Sequence, residues 1–168
     1  DVQHSDATLR LAAYAVPFNG SLRSLSTAEG ETLTMQKPDF ASTVDSILSV
    51  NPRFDRNAYM FMRDVLDYMA SHERKNRARV KGHVSGQQLL EGVREFALAQ
   101  FGPMVVTVFE YWGVTRCEDF GVIVYDLIEA GLLSKSETDS IEDFSGAYSF
   151  RDAFVKPYLP AREKEGFQ

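Results

Sequence analysis

At 168 residues and 44% apolar content the chain can bury one proper core without a disulfide framework or a structural metal. Its single cysteine, Cys117, excludes an internal disulfide and fits a reducing, cytoplasmic setting. A net charge of −6 argues against a protein that simply coats nucleic acid, and no apolar run approaches the ~18–20 residues of a spanning helix, so no membrane partner is expected.

Residues 1–34 differ from the rest: Ser, Thr and Gly interrupt any periodicity, and Leu11 to Phe18 is the sole apolar patch. Only Arg10 precedes that Pro-broken patch, too little for a secretory signal. Asn19-Gly20-Ser21 matches a glycosylation sequon, a coincidence in a cytosolic chain. The stretch is expected to be disordered or a non-native extension, with Met35 the natural start. A single globular, mainly helical domain is expected over 35–160, followed by a polar tail over 161–168.

Asp39 opens a short amphipathic helix carrying Phe40, Val44, Ile47 and Leu48, which Asn51-Pro52 breaks. A longer helix from Asn57 to His72 turns Tyr59, Met62, Val65, Leu66 and Met69 inward and Arg63, Asp64 and Asp67 outward, with Phe61 and Tyr68 widening its apolar side. Its Met and aromatic content reads as core, because Met fills irregular gaps. Glu73 to Lys81 then holds five cations against one acid, a local +4. Arg74, Lys75, Arg77, Arg79 and Lys81 are candidate nucleic-acid contacts; without interleaved aromatics they form an electrostatic arm rather than a base-stacking platform, and a solvated linker is the plainer reading.

Three helices follow. Ser85 with Gln88 is a capping box, ahead of Leu89, Leu90, Val93, Phe96, Ala97 and Phe101 at helical spacing, and Gly102 supplies a left-handed stop. Pro103 to Trp112 is apolar nearly all round, which predicts a buried helix beginning with Pro at its first position. Gly113 ends it, and Thr115 with Glu118 predicts a second capping box. Phe120, Ile123, Val124, Leu127 and Ile128 form one stripe on the third helix, closed by Gly131 and Leu132 as a Schellman stop. This order resembles a helix-turn-helix core. The apolar run and polar loop after it, with Ala147-Tyr148-Ser149-Phe150, predict a small β-hairpin and so a mainly α fold with a winged-helix-like core.

A DNA-reading third helix should present Arg, Lys, Asn, Gln or Ser. This one offers Glu118, Asp119, Val122, Tyr125, Asp126 and Glu129, within a stretch from Glu118 to Asp152 where nine acids face two cations, a local −7. Ordinary major-groove reading is therefore not expected. Val122 and Tyr125, one turn apart and rimmed by Asp126 and Glu129, are instead a candidate partner-binding patch. The partner would be a protein, basic in character, or a second copy; in the plainer reading Tyr125 covers a neighbouring loop. There is no catalytic constellation, metal spacing or cofactor loop. An enzyme using Cys117 or His83 is the weakest alternative, since nothing in the sequence brings the two together.

The segments HVSGQQLLEGVREFALAQFGPM (83–104), WGVTRCEDFGVIVYDLIEAGLLSKSETDS (112–140) and FRDAFVKPYLP (150–160) resemble a family of uncharacterised bacterial proteins of the planctomycete and verrucomicrobial lineages. The resemblance runs from about Met35 to Pro160, which supports Met35 as the start, and it implies no activity, cofactor or site residue.

Overall fold

The computed structural model describes residues 9–10, 39–75, 83–135 and 140–160, with the backbone alone at 9–10, 73–75 and 83. Among these residues the protein is mainly helical, with α1 (Phe40–Val50), α2 (Arg56–Lys75), α3 (Gly86–Phe101), α4 (Val105–Tyr111) and α5 (Cys117–Glu129). The strand pairing among them is two residues long, β1 (Leu9–Arg10) lying antiparallel to β2 (His83–Val84). No described helix is long and apolar enough to cross a membrane.

Helices α1 and α3 begin where side chains satisfy backbone donors. The Asp39 carboxylate accepts from the Ser42 N–H at 3.2 Å and starts α1. The predicted capping box of α3 is present in both directions: Ser85 Oγ accepts from the Gln88 N–H at 3.1 Å, and Gln88 Oε1 accepts from the Ser85 N–H at 3.0 Å. At the end of α5 the Leu132 N–H reaches the Leu127 carbonyl at 2.9 Å and the Gly131 N–H reaches that of Ile128 at 3.0 Å, the two bonds of a Schellman motif, with Gly131 at φ +77°.

The second helix of the triad differs from expectation. Gly102 to Met104 forms a 3₁₀ turn, with Pro103 early in it, and the α-helix begins only at Val105. It is also buried on one side alone. Val105, Phe109 and Trp112 fall at i, i+4 and i+7 and face the core, while Met104 and Tyr111, seven apart on another face, are 55% and 80% exposed.

The core is chiefly aromatic. Phe61 of α2 meets Phe96 and Phe101 of α3, Phe109 and Trp112 at the end of α4, and Phe120 of α5, all with ring centroids 5.4–6.5 Å apart. Phe109 stands beside Phe150 and Phe154 at 5.7 and 5.5 Å, which seals the C-terminal segment to the bundle.

That segment corrects the expected β-hairpin. Ile141–Phe144 is a 3₁₀ turn capped by Ser140, whose hydroxyl accepts from the Glu142 N–H at 3.3 Å. Ala147 to Ser149 is not a strand, and Phe150 leads into a five-residue π-helical turn, Arg151–Val155. The alternation that suggested a strand serves aromatic packing instead: Tyr148 and Phe150 both meet Phe154, and the Tyr148 hydroxyl donates to the Leu90 carbonyl at 2.8 Å. Residues 136–139, in the expected wing, lie outside the described residues.

Phe144 is buried directly over Gly121, where an added Cβ would stand 2.9 Å from its ring. Gly121→Ala is expected to lower stability by about 1–3 kcal/mol through overpacking, and Phe109→Ala by about 3–5 kcal/mol through the cavity it leaves. Urea titrations of the two variants beside the parent chain measure both.

Candidate functional site

The residue that fixes the start of α5 is Asp119, 3% exposed and the one buried charged group among the described residues. Its Oδ2 accepts from the backbone N–H groups of Thr115 at 2.8 Å and Arg116 at 3.2 Å and from the Thr115 hydroxyl at 3.2 Å. Its Oδ1 accepts from an Arg53 guanidinium nitrogen at 2.8 Å. The expected Thr115–Glu118 box is thus displaced by one residue: Asp119 performs the capping, and Arg116 occupies the N-cap position. Nor is Asp119 on the outer face of the helix, where the sequence placed it. Through Arg53 it also draws in the α1–α2 loop, which is fastened again by the Asp55 N–H donating to the Trp112 carbonyl at 3.0 Å.

With that loop held, α1 lies beside the C-terminal half of α5. Asp45 of α1 pairs with Arg56 at 2.7 Å, and Arg63 stands 5.6 Å from the Phe40 ring centroid, so α1 runs back along the first half of α2. The Tyr59 hydroxyl of α2 donates to Asp126 of α5 at 2.7 Å. Burial pushes the Tyr59 pKa up first, and the bond to Asp126 and that carboxylate's charge add to the rise, so the phenol stays a donor.

Between the two helices is a cleft of about 570 Å³ lined by Thr43, Ser46, Ile47, Val50, Asn51, Asp126, Glu129 and Ala130. Its lining includes the last turn of α1 and the last turn of α5, and neither turn contains a basic residue. A helix C-terminus carries roughly half a negative charge from its aligned peptide dipoles. Two such ends therefore converge here, together with two carboxylates, beside an apolar wall that includes Val50, 86% exposed. Negative potential beside apolar surface suits a lysine or arginine side chain, whose aliphatic stem packs while its head is paired.

The structure brings half of the expected patch into this cleft. Asp126 and Glu129 line it, whereas Val122 and Tyr125 are half-buried against the core, and the Lys135 ammonium stands 5.1 Å from the Tyr125 ring centroid. Asp126 is not a simple rim carboxylate, since it holds Tyr59. Sequence reading missed the α1 side, Ile47 and Val50 included; the acid-rich, base-free last turn of α5 was the available signal. Of the basic arm, Arg74 and Lys75 lie on the last turn of α2, and Arg77, Arg79 and Lys81 lie outside the described residues. Among the described residues no three of His, Cys, Asp and Glu gather as a metal would require.

Cys117 is buried and its thiol donates to the Tyr148 carbonyl at 3.3 Å. Burial pushes its pKa up, the reverse of what an activated nucleophile needs. The His83 side chain is outside those described.

No protein-family model, curated protein or solved structure matches the chain.

Two outcomes follow from the buried groups. A thiol reagent is expected to label Cys117 only on unfolding, and labelling of the native chain at the rate of a free thiol would show the burial to be wrong. Tyr59, Tyr148 and Cys117 all have pKa values raised in the fold, chiefly by burial, so the folded state holds protons that the unfolded chain releases. Their contribution is complete below the unfolded values and is lost as pH rises, so stability is expected to decline above roughly pH 8.5, where free thiols titrate, and more steeply above about pH 10, where free phenols do. Urea midpoints measured across the alkaline range, with Tyr148→Phe reducing the slope, test this.

Proposed function

We propose that the protein is a helical interaction module that docks a Lys/Arg-rich protein segment in the α1–α5 cleft. The observation that carries this reading is the pair of helix C-termini, neither with a basic residue in its last turn, meeting at Asp126 and Glu129 beside Ile47 and Val50. Acidic residues in the last turn of a helix oppose its dipole and cost stability. A cation delivered by a partner would relieve both the dipole and the carboxylates, so the arrangement is best satisfied in a complex. In this reading α3, α4 and α5 form a core in helix-turn-helix order, related to winged-helix domains without the hairpin, and serve as the scaffold for α1. Glu129 and Asp126 supply charge; Val122 and Tyr125 support α5 from its core side and border the docking face. The setting proposed is the cytoplasm.

A second reading, contact with an RNA or DNA backbone through Arg74, Lys75, Arg77, Arg79 and Lys81, rests on the +4 run from Glu73 to Lys81. It requires affinity for nucleic acid that falls steeply with salt, as counterion release demands.

Glu129 is exposed at the end of α5, which separates binding from folding. Glu129→Lys is expected to raise stability by about 0.3–1 kcal/mol, because a cation suits a helix C-terminus. The same change should weaken binding of a Lys/Arg-rich peptide at least tenfold, on the order of 1.4 kcal/mol. Fluorescence anisotropy with a labelled peptide, beside thermal melts, reads both. If the parent chain binds no such peptide at low salt, the docking reading fails.

A further inference from the structure

We infer that the segment docked in the α1–α5 cleft is the chain's own Arg/Lys-rich stretch, residues 74–81, supplied by a second copy, so that copies associate head to tail. This rests on the docking reading above and names its occupant.

The two surfaces are complementary in charge. One chain carries five cations between Arg74 and Lys81 and an acidic cleft with no basic residue in its lining. Within one chain they belong to opposite ends of α2. Tyr59, bonded to Asp126, marks the cleft end of α2, and Lys75 lies sixteen residues further along the helix, about 24 Å away at 1.5 Å per residue. Helix α3 runs antiparallel to α2: an added Cβ at Gly92 would touch Met69, while Phe96 and Phe101 both meet Phe61. The start of α3 therefore stands beside the far end of α2, and both anchors of the connecting segment, Lys75 and His83, belong to that end.

Contact in trans does not have to span that length. Each copy then offers one donor segment and one acceptor cleft on different parts of its surface, so two copies can engage reciprocally as a dimer, or the contact can repeat around a larger ring or along an open assembly. Because both surfaces are solvated, the contact must weaken with salt, which screens charges over about 10 Å at 0.1 M.

The test is sedimentation of the full chain over a range of concentrations at low and high salt. The average mass is expected to rise to that of a dimer or beyond at low salt and to return to the 18.9 kDa monomer at high salt. Glu129→Lys, which spoils the cleft, and Arg77→Glu with Arg79→Glu, which spoils the segment, should each give monomers. Mixed in equal amounts the two variants should form a heterodimer and nothing larger, since one keeps its segment and the other its cleft. A synthetic peptide of residues 73–82 should bind the parent chain and lose at least tenfold in affinity for Glu129→Lys. A monomeric parent that ignores this peptide yet binds another Lys/Arg-rich peptide would overturn the inference and leave the docking reading intact; a parent that binds no basic peptide would overturn both. Association that survives Glu129→Lys, or a monomeric chain whose basic segment binds RNA with a steep salt dependence, would also overturn it.

Discussion

The edge-on packing of Phe61 against Phe109, with ring centroids 5.5 Å apart and planes at 69°, is the contact on which the remaining architecture depends. The two rings come from α2 and α4, and each gathers further aromatics: Phe61 those of α3 and the end of α4, Phe109 those of the C-terminal turn. Phe120 of α5 touches both. Edge-to-face and tilted ring pairs add roughly 0.5–1.5 kcal/mol each beyond the area they bury, so a shared cluster of this kind fixes several helices at once. It also explains why α4 can be short. A seven-residue helix is marginal alone, and Phe109 with Trp112 anchors it from one side while Met104 and Tyr111 remain outside.

Asp119 does for the loops what the aromatic pair does for the helices. Its carboxylate satisfies two backbone donors at the start of α5 and the Arg53 guanidinium from the α1–α2 loop, joining those two segments by polar contacts. A buried carboxylate is costly unless paired and hydrogen-bonded, and here it is both. The consequence reaches the cleft, because the loop that carries Arg53 also sets where α1 lies against α5. Gly113 makes that docking possible: at φ +81° it takes a backbone conformation that a side chain disfavours, and a Cβ there would stand 3.1 Å from the Arg53 carbonyl.

Local chemistry was legible in the sequence wherever a single short segment determined it. Ser85 with Gln88, Asp39, Gly102 and Gly131 mark helix ends by side-chain type or by backbone freedom, and the helical stripes of α2, α3 and α5 coincide with their buried faces. What was not legible depended on distant partners. Thr115 is the better N-cap by residue type, yet a carboxylate one residue beyond the expected box won the cap because Arg53, sixty-six residues away in sequence, could neutralise it. Tyr148 and Phe150 fit a strand by alternation as well as they fit a turn, and only rings from α4 and the C-terminal turn decide between them. Asp126 and Glu129 could be named as candidates, but their opposite wall, Ile47 and Val50, belongs to a helix some eighty positions earlier.

The two aspartates of α5 show why its ends differ in character. Asp119 sits at the N-terminus, where the helix dipole favours an anion, and a guanidinium cancels its charge. Asp126 sits in the last turn, where the dipole disfavours an anion, and its bond at 2.7 Å comes from a neutral phenol. A tyrosine satisfies the hydrogen-bonding capacity of a carboxylate without cancelling its charge, and a raised phenol pKa keeps that donor in place. Asp126 and Glu129 both line the cleft. Replacing Tyr59 by lysine or arginine would have neutralised Asp126 internally. The fold instead holds the anion in position with a neutral group.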